Sequence, residues 1–161
     1  MKKTACMMAL LILFIFSQVQ ADDNKATPKD VYDIVLKAYE VVKALGDEAL
    51  PAFNDPKGEF LYKDTYVYVM RCPSEMAAHP YAMKALKGVD LDKAYSFTAL
   101  MCNAGEQPSG GWVEYEWPKP GEKVPSRKVG FSIKVEGTPY TVSAGIYNDT
   151  DKVQELNKTL R

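Results

Sequence analysis

A single histidine, three cysteines and a few cations set among tyrosines bound the chemistry open to this chain. His79 is the only histidine in 161 residues. A Ser-His-Asp hydrolase would have to route its proton through that residue. The sequence contains no Gly-x-Ser-x-Gly turn, and no orienting carboxylate can be placed beside His79. Two roles remain for it: bracing the turn that Pro80 forces, or donating a hydrogen bond into a pocket. The second is our expectation. A metal site would need His79 with Cys72 and Cys102, three ligands at odd spacing without a second histidine. Glu114 and Glu116 form a carboxylate pair of the kind glycosidases use, but exposed positions on a strand do not raise a carboxyl pKa. Phosphate loops, dinucleotide fingerprints and calcium loops are missing. The expectation is therefore a protein without catalytic residues, cofactor or metal.

Cations are more informative. Lys128 falls on the polar side of an alternating segment, and a buried ammonium needs an anionic partner. It is the leading candidate to hold a carboxylate. Arg71, at a strand end, is the second. For both, a surface salt bridge is the competing assignment. Arg127 points to the opposite face by alternation and is expected to be structural or exposed.

The formal charge is -1, with 47% hydrophobic and 25% charged residues. That is globular composition, and no basic surface points to nucleic acid. Residues 1–21 read as a secretory signal peptide: Lys2 and Lys3, an apolar run from Ala5 to Phe16, then Val19-Gln20-Ala21 with small residues at the cleavage positions. The run is shorter than the ~20 residues that span a bilayer. The expected mature chain runs from Asp22 to Arg161, is periplasmic or secreted, and has no membrane span. Removing two of 20 basic residues and none of 21 acidic ones leaves it near -3. Cys72 and Cys102 remain, and an even count in an exported protein reads as a disulfide. Closing thirty positions would contribute about 3–4 kcal/mol.

The elements that must position these residues follow from periodicity. Thr27-Pro28-Lys29-Asp30 starts a helix. Val31, Ile34, Val35, Ala38, Val41, Val42 and Leu45 give it one apolar stripe, and Gly46 stops it. Asp47–Phe53 is a short helix disturbed by Pro51. Tyr66–Met70 is a strand with Val67 and Val69 on one face and Tyr66, Tyr68 and Met70 on the other. Residues 71–111 read as irregular with weak helical content, including a short helix over Leu91–Met101. Three strands close the domain: Trp112–Trp117, Arg127–Val135 and Tyr140–Tyr147. A polar helical tail follows. This order predicts an antiparallel α+β sheet with helices on one face. The opposite face interleaves Tyr68, Met70, Tyr115, Trp117 and Lys128 with Gly130, Ser132, Ser143 and Gly145. Periodicity alone leaves two readings of that face, a pocket wall or a second small core under residues 71–111.

Several of these segments together resemble the single Cache domain family. They are Asp55-Pro-Lys-Gly58, Asp64-Thr-Tyr-Val-Tyr-Val69, Ala78-His79-Pro80, Gly111-Trp-Val-Glu-Tyr-Glu-Trp-Pro-Lys-Pro-Gly121, Arg127-Lys128 and Ala144-Gly-Ile-Tyr-Asn-Asp149. The resemblance covers about residues 28–149, the core of a domain spanning 22–161. It implies a PAS-like antiparallel sheet, a long N-terminal helix across one face and a ligand cavity on the other. The implied function is extracytoplasmic capture of a small organic acid or amino acid, in a standalone chain that signals to a membrane receptor or histidine kinase. The pocket residues it implies are Tyr68, Met70, His79, Tyr115, Trp117, Lys128 and Ser132. The alternative is an interaction module that keeps the fold with a collapsed pocket. Two departures from the family flank the pocket. Arg71–Glu75 replaces a glycine-containing turn, and the region before Cys102 lacks the usual Asp-x-x-Gly turn.

Overall fold

The computed structural model describes residues 23–148 and 150–160. The signal-peptide reading falls on residues 1–21, outside the described residues. Helix α1 spans Pro28–Leu45 and starts as its sequence dictates. The Thr27 hydroxyl accepts from the Asp30 amide, and the Asp30 carboxylate accepts from the Thr27 amide at 2.8 Å, a reciprocal capping box. Gly46 ends it at φ +56°, a conformation that side-chain-bearing residues adopt only at a cost. A 3-10 helix over Gly46–Asn54 accommodates Pro51.

Six strands follow: β1 Leu61–Tyr62, β2 Thr65–Arg71, β3 Glu75–Ala78, β4 Gly111–Pro118, β5 Pro125–Lys134 and β6 Tyr140–Tyr147. All pairings are antiparallel, in the order β1-β2-β6-β5-β4. Strand β3 shares the outer edge of β2 with β1. The aliphatic sheet face carries Val67, Val69, Val129, Phe131, Val142, Ala144 and Ile146. It is sealed by Val31, Ile34, Val35, Ala38 and Val42 of α1. The α+β architecture with its long helix across one face is therefore as expected.

The other face differs from the expectation in two ways. Residues 71–111 are not irregular. They contain β3 and three short helices, α2 Met83–Leu86, α3 Leu91–Ala94 and α4 Phe97–Gly105. The single helix expected over Leu91–Met101 breaks at Tyr95-Ser96. Helices thus cover both faces of the sheet, not one. Leu86, Leu91 and Met101 close a second core over Tyr66, Tyr68, Met70 and Tyr115. Strand β3 is a tertiary product: four residues with two alanines have little intrinsic strand preference, and the edge of β2 supplies the pairing. A register shift between Val69 and Met70 sets Met70 opposite Met76 and Val69 opposite Ala78. Met76 joins the second core and Ala78 the first. The last helix, α5 Val153–Lys158, is held to β4 by Asn157. Its amide accepts from the Trp112 N–H at 2.8 Å and donates to the Trp112 carbonyl at 3.0 Å. No helix among the described residues is long and apolar enough to cross a membrane.

Cys72 and Cys102 are bonded, with their Cα atoms 5.7 Å apart. The bond ties the end of β2 to α4 and makes the intervening segment a strap across the second core. Replacing both cysteines by alanine should lower the urea unfolding free energy by about 3 kcal/mol in the chain-entropy picture. An unchanged midpoint would show that packing alone holds the strap.

Candidate functional site

Lys128 lies on the sheet's second face, in β5, opposite the last residue of β6. Its cross-strand neighbours are Tyr115 on β4 and Tyr147 on β6, so alternation aims two tyrosines to the same side. The next pair along, Gly130 and Gly145, makes room. A Cβ at Gly145 would come within 3.0 Å of the Lys128 Cε, and one at Gly130 within 3.0 Å of the Tyr115 ring. These small residues form the floor on which the lysine stem and the tyrosine ring lie.

The Lys128 ammonium is fully buried. Its Nζ lies 3.9 Å from the ring centre of Tyr66, 4.9 Å from that of Tyr147 and 5.6 Å from that of Tyr68. No protein group accepts a hydrogen bond from it. Among the described residues only one other buried side-chain polar atom, an Asp90 oxygen, lacks a protein partner, and the other oxygen of that carboxylate pairs with Lys93 at 2.9 Å. Burial lowers the Lys128 pKa to about 7, against a smaller opposing influence from Asp64. Ring faces stabilise a desolvated cation by about 2 kcal/mol, and they cannot accept its protons as a carboxylate would.

A cavity of about 20 Å³ adjoins the ammonium, space for about one water molecule. Of the expected pocket residues, the structure brings Tyr68, Met70, His79, Tyr115, Trp117 and Lys128 around this cavity. Ser132 stands apart, its hydroxyl 2.8 Å from that of Ser143. The Tyr68 and Tyr115 hydroxyls are 2.8 Å apart, and burial raises the pKa of each. The His79 Nδ1 accepts the amides of Tyr81 at 3.1 Å and Ala82 at 3.0 Å. It therefore braces the turn after Pro80, and its proton resides on Nε2. Burial, then the charge of Lys128, lower its pKa to about 3, so the ring is neutral.

Sequence reasoning missed Tyr66, Tyr147 and the strap residues Leu91, Tyr95, Phe97 and Met101. Tyr147 was within reach, because alternation sets it on the Lys128 side of β6. Arg71 faces elsewhere: it donates to the Tyr140 hydroxyl at 2.6 Å and pairs with Glu75 at 3.2 Å. It is committed to an ion pair, the competing assignment. Arg127 pairs with Glu114 at 2.6 Å and donates to the carbonyls of Asn148 and Asp151. Cys72 and Cys102, bonded to each other, are not thiolate ligands for His79 to complete. No cluster of metal-ligating side chains occurs among the described residues. The arrangement thus offers one strong unpaired donor, a neutral imidazole and two hydroxyls in an apolar enclosure. It can bind an anion through the Lys128 ammonium.

The family model described as single Cache domain 2 matches residues 18–159. Three solved structures share the fold. A methyl-accepting chemotaxis protein from Vibrio parahaemolyticus RIMD 2210633 aligns with TM-score 0.60 at 18% identity, over 75% of this chain and 88% of that one. A periplasmic sensor domain of a chemotaxis protein gives 0.57 at 24% identity, over 73% and 88%. A Cache chemosensory domain, described for its carboxylic acid recognition, gives 0.52 at 23% identity, over 73% and 86%.

The unpaired ammonium has a sign in stability measurements. The Lys128 pKa is about 7 in the folded chain, below its ordinary 10.5. Between those values the unfolded chain holds a proton that the folded chain lacks. Stability should therefore rise with pH from 7 to about 9.5, by at most about 1.4 kcal/mol per unit. Lys128→Met should flatten that rise and stabilise the chain at pH 7 by about 2–4 kcal/mol. Urea titrations at several pH values check both. A destabilised Lys128→Met variant would mean that the ammonium has a partner.

Proposed function

Because the chain belongs to the single Cache domain 2 family, we propose that it is an extracytoplasmic sensor domain that captures a small carboxylate or amino acid. The buried, unpartnered Lys128 ammonium carries this reading. A ligand carboxylate would supply the charge-assisted hydrogen bonds the site lacks. The His79 Nε2–H and the Tyr68 and Tyr115 hydroxyls are the further polar groups, while Met70 and Trp117 form apolar wall. Ser132 would act only through the floor it shares with Ser143. Carboxylic acid recognition by the Cache chemosensory domain supports the same ligand class. We propose a mature chain from Asp22, released by cleavage near Ala21, with its core over 28–149. The proposed partner is a membrane receptor or histidine kinase. This is a binding role, not an enzymatic one.

One observation favours a second reading. The cavity holds about 20 Å³, less than any metabolite needs, as in an interaction module with a collapsed pocket. Lys128 weighs against it. In a pocket kept shut, methionine would fill the same volume without a buried charge. Under the first reading the carboxylate takes space that the strap or the surrounding tyrosines yield.

A thermal-shift screen of the mature chain against small carboxylates, amino acids, amines and purines tests the reading. Ligand at 100 times its Kd should add about 2.7 kcal/mol. Shifts should cluster in the carboxylates and vanish in Lys128→Met. Affinity should weaken about tenfold per pH unit above pH 7, because the lysine must then take up a proton to pair. Silence across the panel, with no ligand retained from purification, would favour the interaction module.

A further inference from the structure

The two rings nearest the Lys128 ammonium are Tyr66, which is buried, and Tyr147, which is half-buried. They form the inner wall of a hollow of 210 Å³ that opens to solvent beside the N-terminal segment and the turn after β4. Three lysines, Lys25, Lys63 and Lys119, line this hollow against one carboxylate, Asp64. Asp64 accepts the Ala26 amide at 2.7 Å. Lys63 shares its charge with Asp30 at 3.1 Å. Lys25 and Lys119 have no ion pair among the described residues, and the Lys119 ammonium lies 6.0 Å from the ring centre of Tyr147. Tyr66 lines both this hollow and the cavity beside Lys128. One long hydroxyl contact, 3.3 Å, joins Tyr66 to Tyr147. Tyr147 is further held by donating to the Pro118 carbonyl at 2.7 Å.

The opposite side of the cavity is closed more firmly. The Cys72–Cys102 bond ties the two ends of the strap together, and two hydrogen bonds brace it internally, from the Leu91 amide to the Ser74 carbonyl at 2.8 Å and from the Thr98 hydroxyl to the Tyr95 carbonyl at 2.7 Å.

Resting on the carboxylate-sensor reading, we infer that the anion reaches Lys128 through this lysine-rimmed hollow, with Tyr66 and Tyr147 as the gate that parts and Lys25 and Lys119 as the charges that draw it in. Two uncommitted cations above a low-dielectric wall concentrate anions at its surface and raise their encounter rate. Behind the gate stands Lys128, the one fully buried lysine or arginine among the described residues. The strap, on this account, adjusts to the ligand's body and does not admit it.

Reactivity at position 128 tests the route without a known ligand. The full chain, exported with its disulfide formed, would carry Lys128→Cys, which removes a buried charge and leaves space behind the gate. Two probes are compared: 2-sulfonatoethyl methanethiosulfonate, an anion, and 2-(trimethylammonio)ethyl methanethiosulfonate, a cation. Each transfers its thioalkyl group to the thiolate and releases methanesulfinate. Rates are normalised to those with free cysteine.

The anionic probe should react about tenfold faster than the cationic one at low salt. Lys25→Gln with Lys119→Gln should erase most of that preference. Tyr147→Phe should speed both probes by loosening the gate, a readout independent of rim charge. Equal normalised rates, a preference untouched by the rim substitutions, or no reaction while circular dichroism shows a folded chain would each overturn the route. A chain that passes yet shows no carboxylate binding by calorimetry would refute the ligand class and leave the entrance standing. Carboxylate binding without the charge preference would do the reverse.

Discussion

The second face of this sheet is organised around a cation that the fold leaves unpaired. Removing an ammonium from water costs several kcal/mol even after local relaxation. The cage of Tyr66, Tyr68 and Tyr147 offsets only part of that. Much of the local sequence follows from the need to accommodate it. Gly130 and Gly145 are cross-strand partners because their hydrogens leave space for the Lys128 stem and the Tyr115 ring. Tyrosines occupy the surrounding positions because their faces attract a cation and their hydroxyls can bond to one another. His79 stays neutral beside Lys128, so the enclosure holds one positive charge and not two. A site that lowers stability in this way is characteristic of binding sites, where function and stability pull in opposite directions.

The two faces of the sheet divide the work. Against α1 the domain builds an aliphatic core of valines, isoleucines and phenylalanine, with side chains of low polarity and regular alternation. Against the strap it builds a core of tyrosines, methionines and short helices closed by a disulfide. The first face sets the strand register, and the register decides which side chains meet around Lys128. The second has little helix of its own to rely on. The strap's first two helices are four residues each, too short to persist alone, so their order derives from packing and from the bond between Cys72 and Cys102. One face is therefore positioned by regular structure, and the other is fitted over it. The hollow beside Tyr147 adds a third surface, polar and cationic, separated from the core by two rings.

What was legible in the sequence follows a physical boundary. Helix α1 was readable because Thr27, Asp30 and Gly46 act on their own neighbours. Strands β4, β5 and β6 were readable because alternation is a local pattern, and it also set Lys128 on the correct face. Strand β3 was not, because Met76-Ala77-Ala78 has no strand preference until the edge of β2 meets it. The covering of the second face by helices was missed for a similar reason. The apolar residues from Leu86 to Met101 follow no single period, since each short helix presents a side chain or two to a surface built by distant strands. Lys128 leads and Arg71 follows as candidate cation at the level of sequence, yet a surface salt bridge stays open for both. Only the approach of Glu75 and Tyr140 to one, and of nothing to the other, separates them. The size of the cavity lies wholly beyond a sequence, because it depends on how closely the strap settles on Tyr68 and Tyr115.

The protonation state of one nitrogen tests the central claim most directly. Lysine labelled with ¹³C and ¹⁵N, with Lys128→Met for assignment, lets the Nζ of Lys128 be titrated by NMR in the free chain and in the presence of carboxylate. An ammonium that is buried and unpaired predicts a midpoint near pH 7 in the free chain, moving above about pH 9 once a carboxylate sits against it. A midpoint above about pH 10 in the free chain would show that Lys128 is already solvated or already paired, and the account of this face would be wrong.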